Sequence, residues 1–204
     1  MLRGMEQEAG WQTPDGSRWM RPGQRARIRK LWRLKKRLLE VVDSQPRTLC
    51  HRDVNPNNLF YLDKVNTERR LVAIDWPTVG HGGLGEDLAA LVTGTAFSNE
   101  YPWERIRDLE LVVLEAYGRG LRDAGASFNP VELRRAYAAA TVLRWAFDPL
   151  DHLGNLFQRV QNTRTCKSEL MSRIRTCSGI LQHVWSLGEE VLGPTRLTDE
   201  NTNN

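Results

Sequence analysis

The residues best suited to do chemistry lie in one polar stretch, residues 51–58, which holds a His-Arg-Asp triplet and an asparagine five residues after its aspartate. A further aspartate, Asp75, follows a short apolar run 22 residues after Asp53. A carboxylate, an amide and a second carboxylate in this pattern suit phosphoryl transfer. That reaction needs an in-line nucleophile, neutralisation of phosphate charge and exclusion of water more than covalent help.

Each of these side chains has a role that its chemistry suggests. Asp53 can accept the proton of a substrate hydroxyl and orient its oxygen toward a γ-phosphate. The Asn58 amide oxygen and the Asp75 carboxylate can together hold Mg²⁺ between phosphate oxygens. His51 is better suited to bracing the loop by hydrogen bonds than to acting as a base, and Arg52 beside it is likewise interpreted as a loop-bracing residue. The alternative is purely structural: Asp53 and Asn58 would cap local backbone in an Asx-type turn, and Asp75 would cap a strand end.

Two short apolar runs must position these side chains. Residues 59–62 and 71–74 read as strands, and the polar residues 63–70 between them predict a β-hairpin. A hairpin folds the chain back on itself. Asn58, at the start of one strand, is therefore expected to lie beside Asp75, at the end of the other.

The rest of the chain is helical in its pattern. Asn129 followed by Pro130 is a typical helix start, and Gly125 is a typical helix end. The sequence therefore predicts a mainly α fold with a small β-hairpin, an irregular segment 1–23, a glycine-rich loop 80–85, an unassigned stretch 153–165, a polar tail 193–204, and helices over 24–43, 86–97, 103–124, 130–147 and 168–192.

Three motifs in order resemble one family: His51-Arg52-Asp53 through Asn58, then Ile74-Asp75-Trp76, then Glu86-Asp87-Leu88-Ala89. They are similar to those of the aminoglycoside phosphotransferase family, which is related to choline kinase and homoserine kinase and resembles the protein kinases in fold. The match is dense over residues 48–92 and rests on helix order alone over 24–47 and 93–192. The resemblance implies that Asp53 is the catalytic base, that Asn58 and Asp75 bind Mg²⁺, that ATP is the phosphate donor, and that Asp87 braces the loop around the site.

The chain departs from the family pattern in three places. Arg52 stands where the family usually has glycine, and Asn55 stands where it usually has a second histidine. The larger departure is that no Gly-x-Gly-x-x-Gly loop and no Val-Ala-x-Lys strand precede His51. The chain therefore resembles the C-terminal lobe alone of a kinase-like α+β fold, with the N-terminal β-lobe missing. That lobe is predicted over 24–192, with a catalytic loop at 48–60, a metal-aspartate segment at 71–89 and a helical substrate region at 102–192.

Two functions of different classes follow from this. The first is an ATP-dependent phosphotransferase that moves the γ-phosphate to a hydroxyl of a small molecule. The second is a non-catalytic remnant or partner-binding module that needs the missing lobe or a partner chain. Residues 129–204 carry nine basic and eight acidic residues, so they offer no acidic excess for a polycationic aminoglycoside. A sugar, an amino alcohol or another metabolite is an equally good acceptor.

Composition and residue spacing argue against a nucleic-acid-binding protein, a metal site at His81, a disulfide framework, a membrane span and a secretion signal. The positive charge is concentrated in residues 1–50, whose balance is +7 while the whole chain has a net charge of +4. The basic helix in this region is interpreted as a solvated face or a lobe–lobe surface rather than a nucleic-acid site. His81 lacks a partner at metal-ligand spacing and is interpreted as a loop histidine. The odd number of cysteines, three, favours free thiols in a reducing cytoplasm. No apolar run is long enough for a membrane span or a secretion signal.

Overall fold

The computed structural model describes residues 22–62, 70–162 and 167–193, and in these ranges the chain is mostly helical with two small antiparallel sheets. Of the predicted segment 1–23 and tail 193–204, all but residues 22, 23 and 193 lie outside these ranges. The elements are α1 Pro22–Arg33, α2 Lys35–Asp43, β1 Arg47–Cys50, a 3₁₀ turn Pro56–Asn58, β2 Leu59–Leu62, β3 Arg70–Ala73, β4 Gly80–Gly83, α3 Glu86–Phe97, a 3₁₀ turn Trp103–Arg105, α4 Ile106–Asp123, α5 Pro130–Trp145, α6 Asp148–Asn162 and α7 Lys167–Leu192.

The helices agree with the mainly α prediction, with two corrections. The single helix predicted over 24–43 is divided at Leu34, whose backbone N–H contacts both the Lys30 and the Leu31 carbonyl at 3.1 Å. This sharing tightens the turn and starts a new helix without a glycine or proline to signal it. The unassigned stretch 153–165 belongs for the most part to α6. No helix of the described ranges is long and apolar enough to cross a membrane.

Helix α5 lies at the centre of the core. Its middle is buried on nearly every side, and four of its buried residues are alanines: Ala136, Ala138, Ala139 and Ala140. Small side chains let α2, α3 and α7 all pack closely against it. At its C-terminal end the Trp145 indole donates a hydrogen bond to the Ala89 carbonyl at 2.9 Å and packs against Phe97. Helix α5 therefore joins the core to the elements that carry the polar motifs.

The predicted hairpin is present. Strands β2 and β3 pair antiparallel, with Leu59 opposite Ala73 and Leu62 opposite Arg70. The pairing continues beyond the strands, because the Ile74 backbone N–H donates to the Asn58 carbonyl at 3.0 Å. The hairpin therefore brings the end of the first motif next to the start of the second.

The prediction of a loop over residues 80–85 is wrong for its first four residues, which form strand β4 and pair with β1. A Cβ on Gly83 would lie 2.5 Å from the Val42 carbonyl oxygen, and one on Gly82 would lie 2.7 Å from the Cys50 sulfur. These glycines therefore serve close packing of a strand against its neighbours. Glycine signals a loop in local sequence, and this close approach arises only from the tertiary fold.

Two of the three cysteines, Cys50 and Cys177, lie in the described ranges, where both are buried and free. Burial, with the nearby carboxylates of Asp87 and Glu86, raises the pKa of Cys50 to about 11. Burial also raises the pKa of Cys177 to about 11. Both thiols stay protonated at neutral pH, which makes them poor nucleophiles. Cys166 lies outside the described residues.

A buried ionic network joins helices α4, α5 and α7. Glu110, which is 3% exposed, lies 2.5 Å from the Arg134 guanidinium and 3.1 Å from His183 Nε2. Arg134 also pairs with Glu190 at 2.7 Å. Burial acts to raise the pKa of Glu110, but His183 and Arg134 outweigh it and hold the pKa below its usual range. The carboxylate is therefore ionised and contributes to the stability of the fold.

We expect Glu110→Gln to destabilise the protein by about 3 kcal/mol, because it leaves buried partners of the carboxylate uncompensated. Urea unfolding measures the loss. Glu115→Gln on the same helix is the matched control, since Glu115 is 71% exposed and its ion pair with Arg119 is loose. The control should change the free energy of unfolding by less than about 0.5 kcal/mol.

The same network predicts a pH dependence. Since the folded-state pKa of Glu110 lies below the ordinary 4.5, its contribution is complete above that value and is lost as the pH falls through the folded-state pKa. The Glu110→Gln variant should therefore lose less stability on acidification than the wild type. If the free energy of unfolding falls equally in the two proteins as the pH is lowered, the result would contradict this assignment.

Candidate active site

The first motif forms a compact loop between β1 and β2, and its asparagines hold it together. The Asn55 side chain caps the 3₁₀ turn by accepting from the Asn57 N–H at 3.0 Å, and Pro56 occupies the first turn position. The Asn58 amide donates to the Asp53 carbonyl at 2.9 Å and lies 3.2 Å from Asp53 Oδ2. The structure therefore brings Asp53 and Asn58 into direct contact, with Asn58 buried and Asp53 partly exposed.

Asp87 ties this loop to helix α3. Its two carboxylate oxygens accept from the backbone N–H groups of His51 at 2.8 Å and of Arg52 at 2.7 Å. Asp87 lies in the first turn of α3, where the helix dipole favours negative charge. A charged acceptor thus holds two successive backbone groups, which is the contact that a loop-bracing role needs.

His51 is buried and connects the two motif segments. Its Nε2 lies 2.8 Å from the Ile74 carbonyl, and its Nδ1 accepts from the Asp53 backbone N–H at 3.2 Å. Its ring packs against Trp76 with the centroids 4.4 Å apart. These partners assign the proton to Nε2 and occupy the Nδ1 lone pair. In this geometry His51 has no free basic nitrogen, so it acts as a link between Asp53 and the segment that carries Asp75.

Asp75 is solvent-exposed and lies one residue beyond the backbone bond between Ile74 and Asn58. Its φ of 65° is in the left-handed region, which turns the chain sharply after β3. Within the described ranges no three His, Cys, Asp or Glu side chains cluster in a ready-made metal site. Mg²⁺, however, commonly takes one or two protein ligands and completes its shell with water and phosphate oxygens. The neutral and charged oxygen donors of Asn58 and Asp75 fit that pattern.

Arg144 is a site residue that sequence reasoning missed. It lies in the last turn of α5, and its guanidinium donates to the Arg52 carbonyl and lies 3.4 Å from Asp53 Oδ1. Asp53 therefore has Asn58 at one carboxylate oxygen and Arg144 at the other. No local signal marks this residue, since 91 positions separate it from Asp53 and a basic residue near a helix end is commonplace.

Arg52 adopts a backbone conformation that would suit the glycine found at this position in the family that the chain resembles. Its φ is 66°, in the left-handed region, at the position where the resembled family usually has glycine. Such a φ costs an arginine about 1–2 kcal/mol relative to the right-handed region. The side chain extends toward β4, where Arg52 and Arg47 both donate to the His81 carbonyl, at 2.9 and 2.6 Å. His81 thus contributes its backbone carbonyl here.

We expect Asp87→Ala to destabilise the protein by about 2–3 kcal/mol, because two backbone N–H groups lose a charged acceptor. Thermal unfolding measures the loss, and hydrogen exchange should show faster exchange at residues 51 and 52. Asp108→Ala is the matched control, since Asp108 is 58% exposed and its ion pair with Arg105 lies on the surface. Unchanged exchange at residues 51 and 52 in Asp87→Ala would contradict a bracing role for this carboxylate.

Comparison with known proteins finds a family model that matches the chain. The sequence model of a phosphotransferase enzyme family matches residues 4–139, two thirds of the chain. The matched region contains Asp53, Asn58, Asp75 and Asp87, and it ends before Arg144. Comparison with curated proteins and with solved structures gives no significant match.

Proposed function

Because the chain belongs to the phosphotransferase enzyme family, we propose that it transfers the γ-phosphate of ATP to a hydroxyl group of a small molecule, with Mg²⁺ as cofactor. The observation that carries this proposal is the contact between Asp53 and Asn58 in a loop that His51 links to the Asp75 segment. We further propose that these residues belong to the C-terminal lobe of a protein-kinase-like fold. The order of loop, hairpin and helices supports this assignment.

The proposed step forms one bond and breaks another. The acceptor oxygen bonds to the γ-phosphorus as the bond from that phosphorus to the β–γ bridging oxygen breaks, and ADP leaves. Asp53 orients the acceptor hydroxyl and takes its proton, which later passes to solvent. Asn58 and Arg144 hold the two Asp53 carboxylate oxygens in place. Asn58 and Asp75 would hold Mg²⁺, which would supply neutralisation of negative charge on the phosphate oxygens.

The exposure of the site fits this chemistry. The Asp53 side chain is 42% exposed, so an acceptor can reach it from solvent. The residues that position it are covered, with His51 at 3% and Asn58 at 8% exposure. A rigid support below an accessible carboxylate is what positioning of a nucleophile requires.

The test separates nucleotide binding from transfer. MgATP at about a hundred times its Kd should stabilise the folded chain by about 2.7 kcal/mol and raise the melting temperature accordingly. Asp75→Ala should abolish the rise. Asp53→Asn should keep the rise and reduce phosphotransfer to a screened set of hydroxyl acceptors by about a hundredfold or more. Asp108→Asn, at an exposed aspartate distant in sequence from the motifs, is the control and should match the wild type.

Two outcomes would contradict the proposal. A cooperatively melting protein that MgATP does not stabilise would show that these residues do not hold the nucleotide by themselves. Transfer that is undiminished in Asp53→Asn would remove Asp53 as the base.

A second candidate function rests on the exposed apolar surface of the hairpin. Tyr61 and Leu71 lie opposite each other in the register and are 75% and 56% exposed, and Phe60, on the other face, is 46% exposed. Successive strand residues point to opposite faces, so both faces of the hairpin carry uncovered apolar groups. A two-stranded hairpin is marginal alone. We therefore propose, as the alternative, a module whose hairpin is covered by an N-terminal lobe or a partner chain.

This alternative predicts weak hydrogen-exchange protection in the hairpin of the isolated chain. Amides of β2 and β3 should exchange much faster than those of the central helix α5, because little buried surface stabilises the two strands. Adding the covering lobe or partner should slow exchange at β2 and β3 selectively. Hairpin protection equal to that of α5 in the isolated chain would show that no covering element is needed.

A further inference from the structure

A cavity of about 400 Å³ lies behind the catalytic loop, between α2, α3 and α5. Its apolar lining comes from all three helices: Leu39, Val42, Ala89, Ala140 and Leu143. Its volume is in the range of small-molecule sites, which are typically apolar with a few placed polar groups. Helices α2 and α3 both pack against α5, so the space between them at this point is a feature of the fold.

Three arginines, Arg47, Arg52 and Arg144, line the same cavity. They come from β1, the catalytic loop and the last turn of α5, so only the fold brings them together. Two acidic residues also line the cavity, but both have partners: Asp43 is 68% exposed and pairs with Arg47, and Glu86 accepts from the Gly83 N–H at 2.5 Å. The cavity therefore combines apolar walls with three guanidinium groups and two carboxylates, and two of the guanidinium groups also face a carboxylate, Arg47 that of Asp43 and Arg144 that of Asp53.

The guanidinium groups keep donors for a ligand. Each guanidinium has five N–H donors. Arg47 uses Nη1 on Asp43 and Nη2 on the His81 carbonyl. Arg52 uses Nη2 on the same carbonyl, and Arg144 uses Nη1 on the Arg52 carbonyl and Nη2 toward Asp53. The backbone of Arg52 is in the left-handed region, which glycine would adopt without strain. Forked donors of this kind match the geometry of a carboxylate or a phosphate.

Arg144 connects the cavity to Asp53. The same guanidinium lines the cavity and lies 3.4 Å from Asp53 Oδ1. An anionic group bound in the cavity therefore lies one side chain away from the carboxylate that orients the acceptor hydroxyl in the proposed reaction. A molecule with a negative group at one end and a hydroxyl at the other can engage both.

We propose that this cavity is the acceptor site and that the phosphate acceptor is a small hydroxyl compound with an apolar body and an anionic group, a carboxylate or a phosphate. The claim that the ligand is a phosphate acceptor rests on the proposed phosphotransfer. The chemical class of the ligand rests on the cavity alone. It favours anionic over cationic acceptors, because the lining carries three guanidinium groups against two carboxylates.

The test uses three probes of equal chain length that differ in charge at one end: 6-hydroxyhexanoate, hexanediol and 6-aminohexanol. Binding to the full chain is measured by calorimetry and by the shift in melting temperature, without nucleotide and in a buffer free of other organic anions. The hydroxy acid should bind about tenfold or more tightly than the neutral diol, which is the effect of charge-assisted hydrogen bonds. The amino alcohol should not bind measurably.

Three variants locate the site. Arg144→Leu removes one guanidinium group from the cavity lining. Ala140→Phe fills the apolar part of the cavity without changing its charge. Each variant should weaken hydroxy-acid binding about tenfold or more. Arg135→Leu is the matched control on the same helix, because Arg135 is 49% exposed and does not line the cavity. Its affinity should equal that of the wild type. The melting temperature of each variant without ligand verifies that it is folded under the conditions of the binding measurement.

The outcomes separate this inference from the proposed function. Equal binding of the three probes, absence of hydroxy-acid binding, or binding that survives in both Arg144→Leu and Ala140→Phe would overturn the inference. Each of these results leaves the proposed phosphotransfer to be judged by its own MgATP measurement. If the protein binds the hydroxy acid, with the expected effects of the three variants, and yet is not stabilised by MgATP, the result would support the anion site and contradict the proposed phosphotransfer.

Discussion

The two hydrogen bonds from the His51 and Arg52 backbone to the Asp87 carboxylate are the interaction on which the site depends. To present both N–H groups to one carboxylate, the chain takes up the left-handed conformation at Arg52. That conformation places the His51 ring between the Asp53 backbone and the Ile74 carbonyl. The charge of Asp87 lies in the first turn of a helix, where the N–H dipoles stabilise it and offset the strain at Arg52.

Helix α5 supports the site from the opposite side. Its alanine-rich middle lets three helices pack closely around it, so its last turn is held by a large part of the core. Arg144 extends from that turn to the Arg52 carbonyl and the Asp53 carboxylate. The loop is thus held by a carboxylate on α3 and a guanidinium on α5, two charged groups of opposite sign on two packed helices. This arrangement positions a partly exposed Asp53 without burying it.

The arginine at position 52 also changes the electrostatics of the lobe. A glycine there would satisfy the backbone but would leave Arg47 and Arg144 without a third guanidinium beside the cavity. With the arginine, three guanidinium groups and two carboxylates line this space, and Arg144 connects it to Asp53. In the proposed acceptor site, this lining suits a ligand with separate anionic and hydroxyl ends better than a polycation.

The helical class, the hairpin with its two strands and the family were all predictable from the sequence, because apolar periodicity, turn residues and motif spacing are local properties of the chain. The residues of the predicted catalytic loop were also named in this way, and their roles remain predictions. The strand formed by the glycines of β4 and the contact between Arg144 and Asp53 were not predictable, since the former depends on the Val42 carbonyl and the latter on a helix 91 residues away. Close approach and long-range charge pairing are set by packing, and no local pattern records them.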